Sequence, residues 1–150
     1  MHFPDSIYSG ASGLVLPLPK AQYPPEFQDK SRLEYYASLF NSIEINSSFY
    51  KIPMPKTIAK WADSVPSNFK FTFKLWKEIT HNKQLAFKSE DVELFMKTIS
   101  NAGDKQGCLL VQFAPGFRIE SINQLNTLLT CIQCYNPDQC NIALELRHRS

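Results

Sequence analysis

At 150 residues the chain has the length of one ordinary domain, and its 43% hydrophobic and 13% aromatic content is enough for a packed core, which excludes disorder as a description of the whole. Its 16 basic and 14 acidic residues leave a formal net charge of +2, which gives no electrostatic basis for a nucleic-acid or membrane-surface protein. No stretch approaches the ~18 apolar residues of a membrane span. The opening Met1-His2-Phe3-Pro4-Asp5-Ser6 lacks the basic and apolar regions of a signal peptide, so the expected location is the cytoplasm. A complete eight-stranded α/β barrel takes roughly 250 residues, more than the chain has.

Strands and helices are predicted to alternate. Ile7-Tyr8-Ser9 reads as a strand ending in the tight loop Gly10-Ala11-Ser12-Gly13. Pro17, Pro19, Pro24 and Pro25 make the next segment a loop. Ser31 and Glu34 form a capping-box pattern before Leu33, Tyr36, Ala37 and Phe40, which recur at helical spacing. Ile43-Glu44-Ile45-Asn46 alternates as a strand does. Residues 55–65 read as a helix with Ile58, Trp61, Ala62 and Val65 on one face, stopped by Pro66.

Phe69-Lys70-Phe71-Thr72-Phe73-Lys74 is the clearest strand, and a loop holding Trp76, Thr80 and His81 follows it. Ser89 is expected to cap a helix carrying Val92, Phe95, Met96 and Ile99, with Gly103 ending it. Leu109-Leu110-Val111-Gln112-Phe113 is a strand broken by Pro115-Gly116. Ser121 and Gln124 suit a second capping box, before a helix lined by Ile122, Leu125, Leu128, Leu129 and Ile132. Ile142 to Arg147 is the last strand. The expected order is β-α-β-α-β-α-β-α-β, with parallel strands and right-handed crossovers.

The strand faces sharpen this. Ile43, Ile45, Phe69, Phe71, Phe73, Leu109, Val111, Phe113, Ile142, Leu144 and Leu146 share one side, which is large and apolar, as beneath a layer of helices. The opposite side carries Glu44, Asn46, Lys70, Thr72, Lys74, Gln112, Glu145 and Arg147, and becomes polar towards the C-terminal strand ends. In parallel α/β proteins sites form at those ends. The asymmetry favours a barrel with a polar mouth over an open sheet covered on both faces. At about 31 residues per βα unit the chain holds about five units, an incomplete TIM-barrel-like (β/α) fold.

Several blocks carry a family resemblance. Gly10-Ala11-Ser12-Gly13 is similar to a Gly-Thr-Ser-Gly-Trp pattern, with Leu14 where the tryptophan stands. The run from Tyr35 to Tyr50, ending Phe40-Asn41-Ser42-Ile43-Glu44-Ile45-Asn46-Ser47-Ser48-Phe49-Tyr50, resembles Tyr-Ala…Phe-Asn-x-Val-Glu-Ile-Asn-x-Thr-Phe-Tyr. Residues 69–74 and Ile79-Thr80-His81 resemble Phe-x-Phe-x-x-Lys and Thr-His blocks. Gln112 to Phe117 resembles Gln-Leu-Pro-Pro-x-Phe, and Glu145-Leu146-Arg147-His148-Arg149-Ser150 resembles Glu-Phe-Arg-His-x-Ser-Trp. Together they resemble the N-terminal part of the YecE-like family, domain of unknown function 72. The resemblance implies a partial TIM-barrel-like domain over residues 1–150, with the C-terminal strands absent and no established activity.

The expected catalytic groups are Glu44, Lys74, His81 and Glu145. Two inward carboxylates on the order of 6–10 Å apart would suit acid–base work or metal ligation; the structural alternative is an ion pair with Lys74 or Arg147. A charged Lys74 would bind an anionic group or stabilise developing negative charge. His81 and His148 suit proton transfer near neutral pH. Asn46, Tyr50, Gln112, Arg147 and His148 are the expected substrate-binding residues, with Phe49 and Trp76 as further candidates for the pocket wall.

Cys131-x-x-Cys134 lies at a helix end with no second ligand pair, so reduced thiols are expected, and no metal ligands are assigned. Neither a P-loop nor a Gly-x-Gly-x-x-Gly or Gly-x-Ser-x-Gly motif occurs, and no cofactor is identified. The reading is a hydrolase, lyase or isomerase for a small sugar-like or anionic substrate. The alternatives are a divalent-metal enzyme, a non-catalytic ligand or partner-binding domain, and an inactive fragment. Exposed strand edges would favour self-association.

Overall fold

The structure is a computed structural model, and it describes residues 7–137 and 140–149. The reading of residues 1–6 and the last motif residue, Ser150, lie outside them. Helix α1 (Arg32–Leu39) starts at the expected capping box: the Glu34 amide donates to Ser31 Oγ, and the Ser31 amide donates to the Glu34 carboxylate. Strand β1 (Ser42–Ile45) follows, and then one-turn helix α2 (Ser47–Tyr50). Pro55 opens α3 (Pro55–Asp63), where its missing N–H costs nothing. Strand β2 (Lys70–Lys74) leads into one-turn helix α4 (Lys77–Thr80). The chain continues through α5 (Ser89–Ile99), β3 (Gln106–Gln112), α6 (Ile122–Cys134) and β4 (Asn141–Glu145).

The four strands form one parallel sheet in the order β1-β2-β3-β4, as βαβ crossovers require. The register pairs Ile43 with Phe71, Phe73 with Leu109, and Leu109 with Ile142. Between β2 and β3 the register slips: Phe71 faces Gln106, and Thr72 faces Cys108. Gly107 is the extra residue, and a Cβ there would lie 3.0 Å from the Lys70 Cβ, so the bulge takes a glycine.

The apolar side of the sheet is the core. Ile43, Phe69, Phe71, Phe73, Leu109, Val111 and Phe113 are almost wholly buried. Ile58 and Ala62 of α3, Val92, Phe95, Met96 and Ile99 of α5, and Leu125, Leu128 and Ile132 of α6 close over them. Each large side chain so buried contributes roughly 1.5–3 kcal/mol.

Five local expectations are corrected. Ile7-Tyr8-Ser9 is not a strand. The Asn41 side chain bonds the Ser9 amide and the Ile7 carbonyl in place of a ladder, and the loop that follows meets the sheet at a parallel bridge between Ser12 and Glu44. Ser121 caps α6 without a side-chain bond, so the second capping box does not form, and Lys88 rather than Ser89 stands at the cap of α5. Ile122 sits on the exposed first turn of α6. Leu144 and Leu146, expected beneath helices, are 42% and 54% exposed, because no described helix covers the outer face of β4. Among the described residues no helix is long and apolar enough to cross a membrane.

Candidate functional site

The first loop is held against β1 by Tyr36 at the inner face of α1. Its hydroxyl accepts from the Ala11 amide at 2.7 Å and donates to the Ser42 carbonyl at 2.9 Å. Gly10 is obligatory there, since a Cβ would come within 1.9 Å of the Ser42 carbonyl oxygen. The Gly13 amide donates to the Glu44 carbonyl, and the Glu44 amide donates to Ala11. The loop so fixed brings Ser12 Oγ to 2.6 Å from Glu44 Oε1, a charge-assisted hydrogen bond.

The ends of β1 and β2 are joined by buried Ser48, whose hydroxyl lies 2.7 Å from both the Ile45 and the Lys74 carbonyls. Helix α2 therefore turns over the strand ends and carries Phe49 across Lys74. The Lys74 ammonium lies 4.5 Å from the Phe49 ring centroid and 3.3 Å from Asn46 Oδ1. His81 follows α4 and stands edge-on to the same ring, centroids 4.9 Å apart. Its Nδ1 lies 2.8 Å from Thr80 Oγ1 on a buried threonine, while Nε2 has no hydrogen-bond partner among the described residues.

His81 is an exposed residue; partial withdrawal of its ring from water, then the charges of Lys74, Arg147 and Lys77, lower its pKa from the ordinary histidine value of 6.5. The neutral imidazole is thereby favoured. At the other side of the sheet Gln112 and Glu145 are partners in register. Gln112 Nε2 donates to Glu145 Oε1 at 2.7 Å, and Arg147 Nε approaches the same oxygen at 3.4 Å.

The expected residues thus fall into two groups. Glu44, Asn46, Lys74 and His81 gather about β1, β2 and their short helices, and Gln112, Glu145 and Arg147 gather about β3 and β4. Glu44 and Glu145 lie on the two outer strands, three strand spacings apart, roughly 14 Å along the sheet. The structural alternative for Glu145, an ion pair with Arg147, is present; the one for Glu44 with Lys74 is not found among the described residues. Tyr50 is exposed and packs its edge on Phe49, with the Lys77 ammonium 6.0 Å from its ring. Trp76 packs against the core, and His148 is half-buried and engaged by its surroundings.

Ser12, Ser48 and Thr80 escaped the sequence reading as site residues. The signals were present: a small hydroxyl inside a glycine-bounded loop, and hydroxyls beside Phe49 and His81. Among the described residues no three His, Cys, Asp or Glu side chains group as metal ligands, so the metal reading has no ligand cluster to rest on. Cys108 is pushed above the ordinary thiol range by burial, against a smaller opposing effect of a hydrogen bond with the Ala143 backbone, and among the described residues Cys108, Cys131, Cys134 and Cys140 form no disulfide. A cavity of about 490 Å³ lies at the opposite, N-terminal ends of the strands, lined by Ser42, Lys70, Thr72 and Cys108 among others.

Residues 12–150 match the family model described as a protein of unknown function, DUF72. The chain belongs to this family. It is 28% identical over 116 residues to the UPF0759 protein YecE of Escherichia coli K12, covering 77% of this chain and 41% of YecE. It is 29% identical over 134 residues to the UPF0759 protein YunF of Bacillus subtilis 168, covering 85% of this chain and 46% of YunF. The chain therefore spans less than half the length of these curated relatives. A crystal structure of a DUF72 family protein from Enterococcus faecalis V583 superposes with a TM-score of 0.69 at 24% identity, over 97% of this chain and 53% of that one. One from Thermotoga maritima MSB8 gives 0.63 at 19%, over 93% and 55%. These likenesses bear on the fold: the DUF72 chain is TIM-barrel-like, and its four-stranded sheet is an incomplete barrel.

Proposed function

We propose that this DUF72 chain serves a cytoplasmic hydrolase, lyase or isomerase that acts on a small polar substrate by acid–base chemistry at the C-terminal ends of its strands. The observation that carries the reading is His81: its Nε2 is open, its Nδ1 is tied to Thr80, and its surroundings favour the neutral form beside the Lys74 ammonium. A neutral imidazole at working pH is a general base, and a fixed ammonium next to it stabilises the negative charge that proton abstraction creates. Glu145, oriented by Gln112, is the second proton-transfer group, and Glu44, held by Ser12, is the third. Asn46, Tyr50, Gln112, Arg147 and His148 supply binding contacts.

The test is turnover of a panel of sugars, sugar acids and hydroxy acids by the wild type, His81→Gln and Glu145→Gln. Loss of about 10²-fold or more in both variants supports the reading. Turnover unchanged in both contradicts it, and ligand binding with no turnover at all favours a non-catalytic binding domain.

A further inference from the structure

Two ammonium groups flank His81: Lys74, at the end of β2, lies over the Phe49 ring against which His81 stands edge-on, and Lys77 opens the turn of α4 that closes when the His81 amide donates to its carbonyl. The nearby carboxylates are engaged elsewhere, Glu44 by Ser12 and Glu145 by Gln112 and Arg147. Lys74 and Lys77 make no ion pair among the described residues; their ammonium groups instead lie over the Phe49 and Tyr50 rings. Lys74 has three N–H donors, and Asn46 Oδ1 takes one of them.

We propose that Lys74 and Lys77, with Nε2 of His81, form a subsite for the oxyanion group of the substrate, a phosphoryl or carboxylate group, and that its binding is coupled to uptake of a proton by His81. This rests on the reading of these strand ends as a substrate site and narrows the substrate class. Like charges next to an imidazole disfavour its protonation, and an anion set among them cancels that effect. The imidazolium then donates from Nε2 to the bound oxyanion, a charge-assisted hydrogen bond. By linkage, anion affinity rises as the pH falls through the range in which His81 titrates.

The experiment follows the His81 imidazole by NMR over pH with and without sulfate, a phosphoryl mimic that does not titrate in this range, and in a separate arm with malonate. Calorimetry in two buffers of different ionisation enthalpy counts the protons taken up. Either anion is expected to raise the His81 midpoint and to bind with proton uptake. In Lys74→Met and in Lys77→Met, whose folding is checked by thermal unfolding, affinity is expected to fall about tenfold, the worth of one charge-assisted hydrogen bond. In His81→Gln the proton uptake disappears. Which anion binds more tightly distinguishes a phosphoryl from a carboxylate substrate. If neither anion binds, or if binding leaves His81 unmoved or persists undiminished in both lysine variants, the inference is overturned. That failure is separable from failure of the catalytic reading, which depends on turnover in His81→Gln and Glu145→Gln.

Discussion

Ser12 Oγ donates to Glu44 Oε1 at 2.6 Å across the only bridge that ties the first loop to β1 among the described residues. The bond gives the DUF72 chain a carboxylate whose direction is set by a different segment from the strand that bears it. A double-mutant cycle of Ser12→Ala and Glu44→Gln is expected to return a coupling of about 0.5–1.5 kcal/mol, measured by urea unfolding. Strict additivity would mean that the two side chains do not restrain one another.

The seating of that loop depends on Tyr36 and on the absence of a side chain at residue 10. Gly10→Ala places a methyl group where the Ser42 carbonyl already lies, so the loop must move. A loss of roughly 1–3 kcal/mol is expected, as for an overpacked site. Tyr36→Phe removes both hydrogen bonds but keeps the buried ring, and is expected to cost about 1–3 kcal/mol. Equal unfolding midpoints for the wild type and both variants would contradict this account of the loop.

The core prediction is simpler. Phe71 and Phe73 are buried under the helices and touch one another. Truncating either to alanine should cost about 3–5 kcal/mol, read as a lower midpoint in chemical unfolding. Leu144→Ala, on the exposed outer face of β4, should change stability by no more than about 0.5 kcal/mol.

Stability should depend on pH through His81. Its folded pKa lies below the unfolded value, so the unfolded state binds the proton more readily. The stabilising contribution is therefore present above the unfolded value, about 6.5, and is lost as the pH falls from there through the lowered folded value. His81→Gln should flatten this part of the stability profile. A profile of the same slope in the variant would assign the acid sensitivity to other groups.

Much of this architecture was legible because a parallel sheet under helices writes itself as alternation. Phe69, Phe71 and Phe73 point one way while Lys70, Thr72 and Lys74 point the other, and no competing period fits. The Ser31–Glu34 box was legible because both partners lie within one turn. What escaped depends on contacts distant in sequence. Asn41 replaces the first strand's ladder with its own amide, which no local pattern announces. The one-turn helices α2 and α4 are too short to show a period, yet they set Phe49 over Lys74 and His81 against Phe49. The alternative ion pair of Glu44 with Lys74 is not found among the described residues, since Ser12 takes Glu44, and Asn46 and Phe49 take Lys74.

The central claim is that the strand ends hold a neutral His81 under the influence of nearby cations. The most direct measurement is the NMR titration of the His81 imidazole in the wild type and in Lys74→Met. The account predicts a wild-type midpoint below 6.5 that rises when the Lys74 charge is removed. A wild-type midpoint at or above 6.5, unmoved in Lys74→Met, would contradict it.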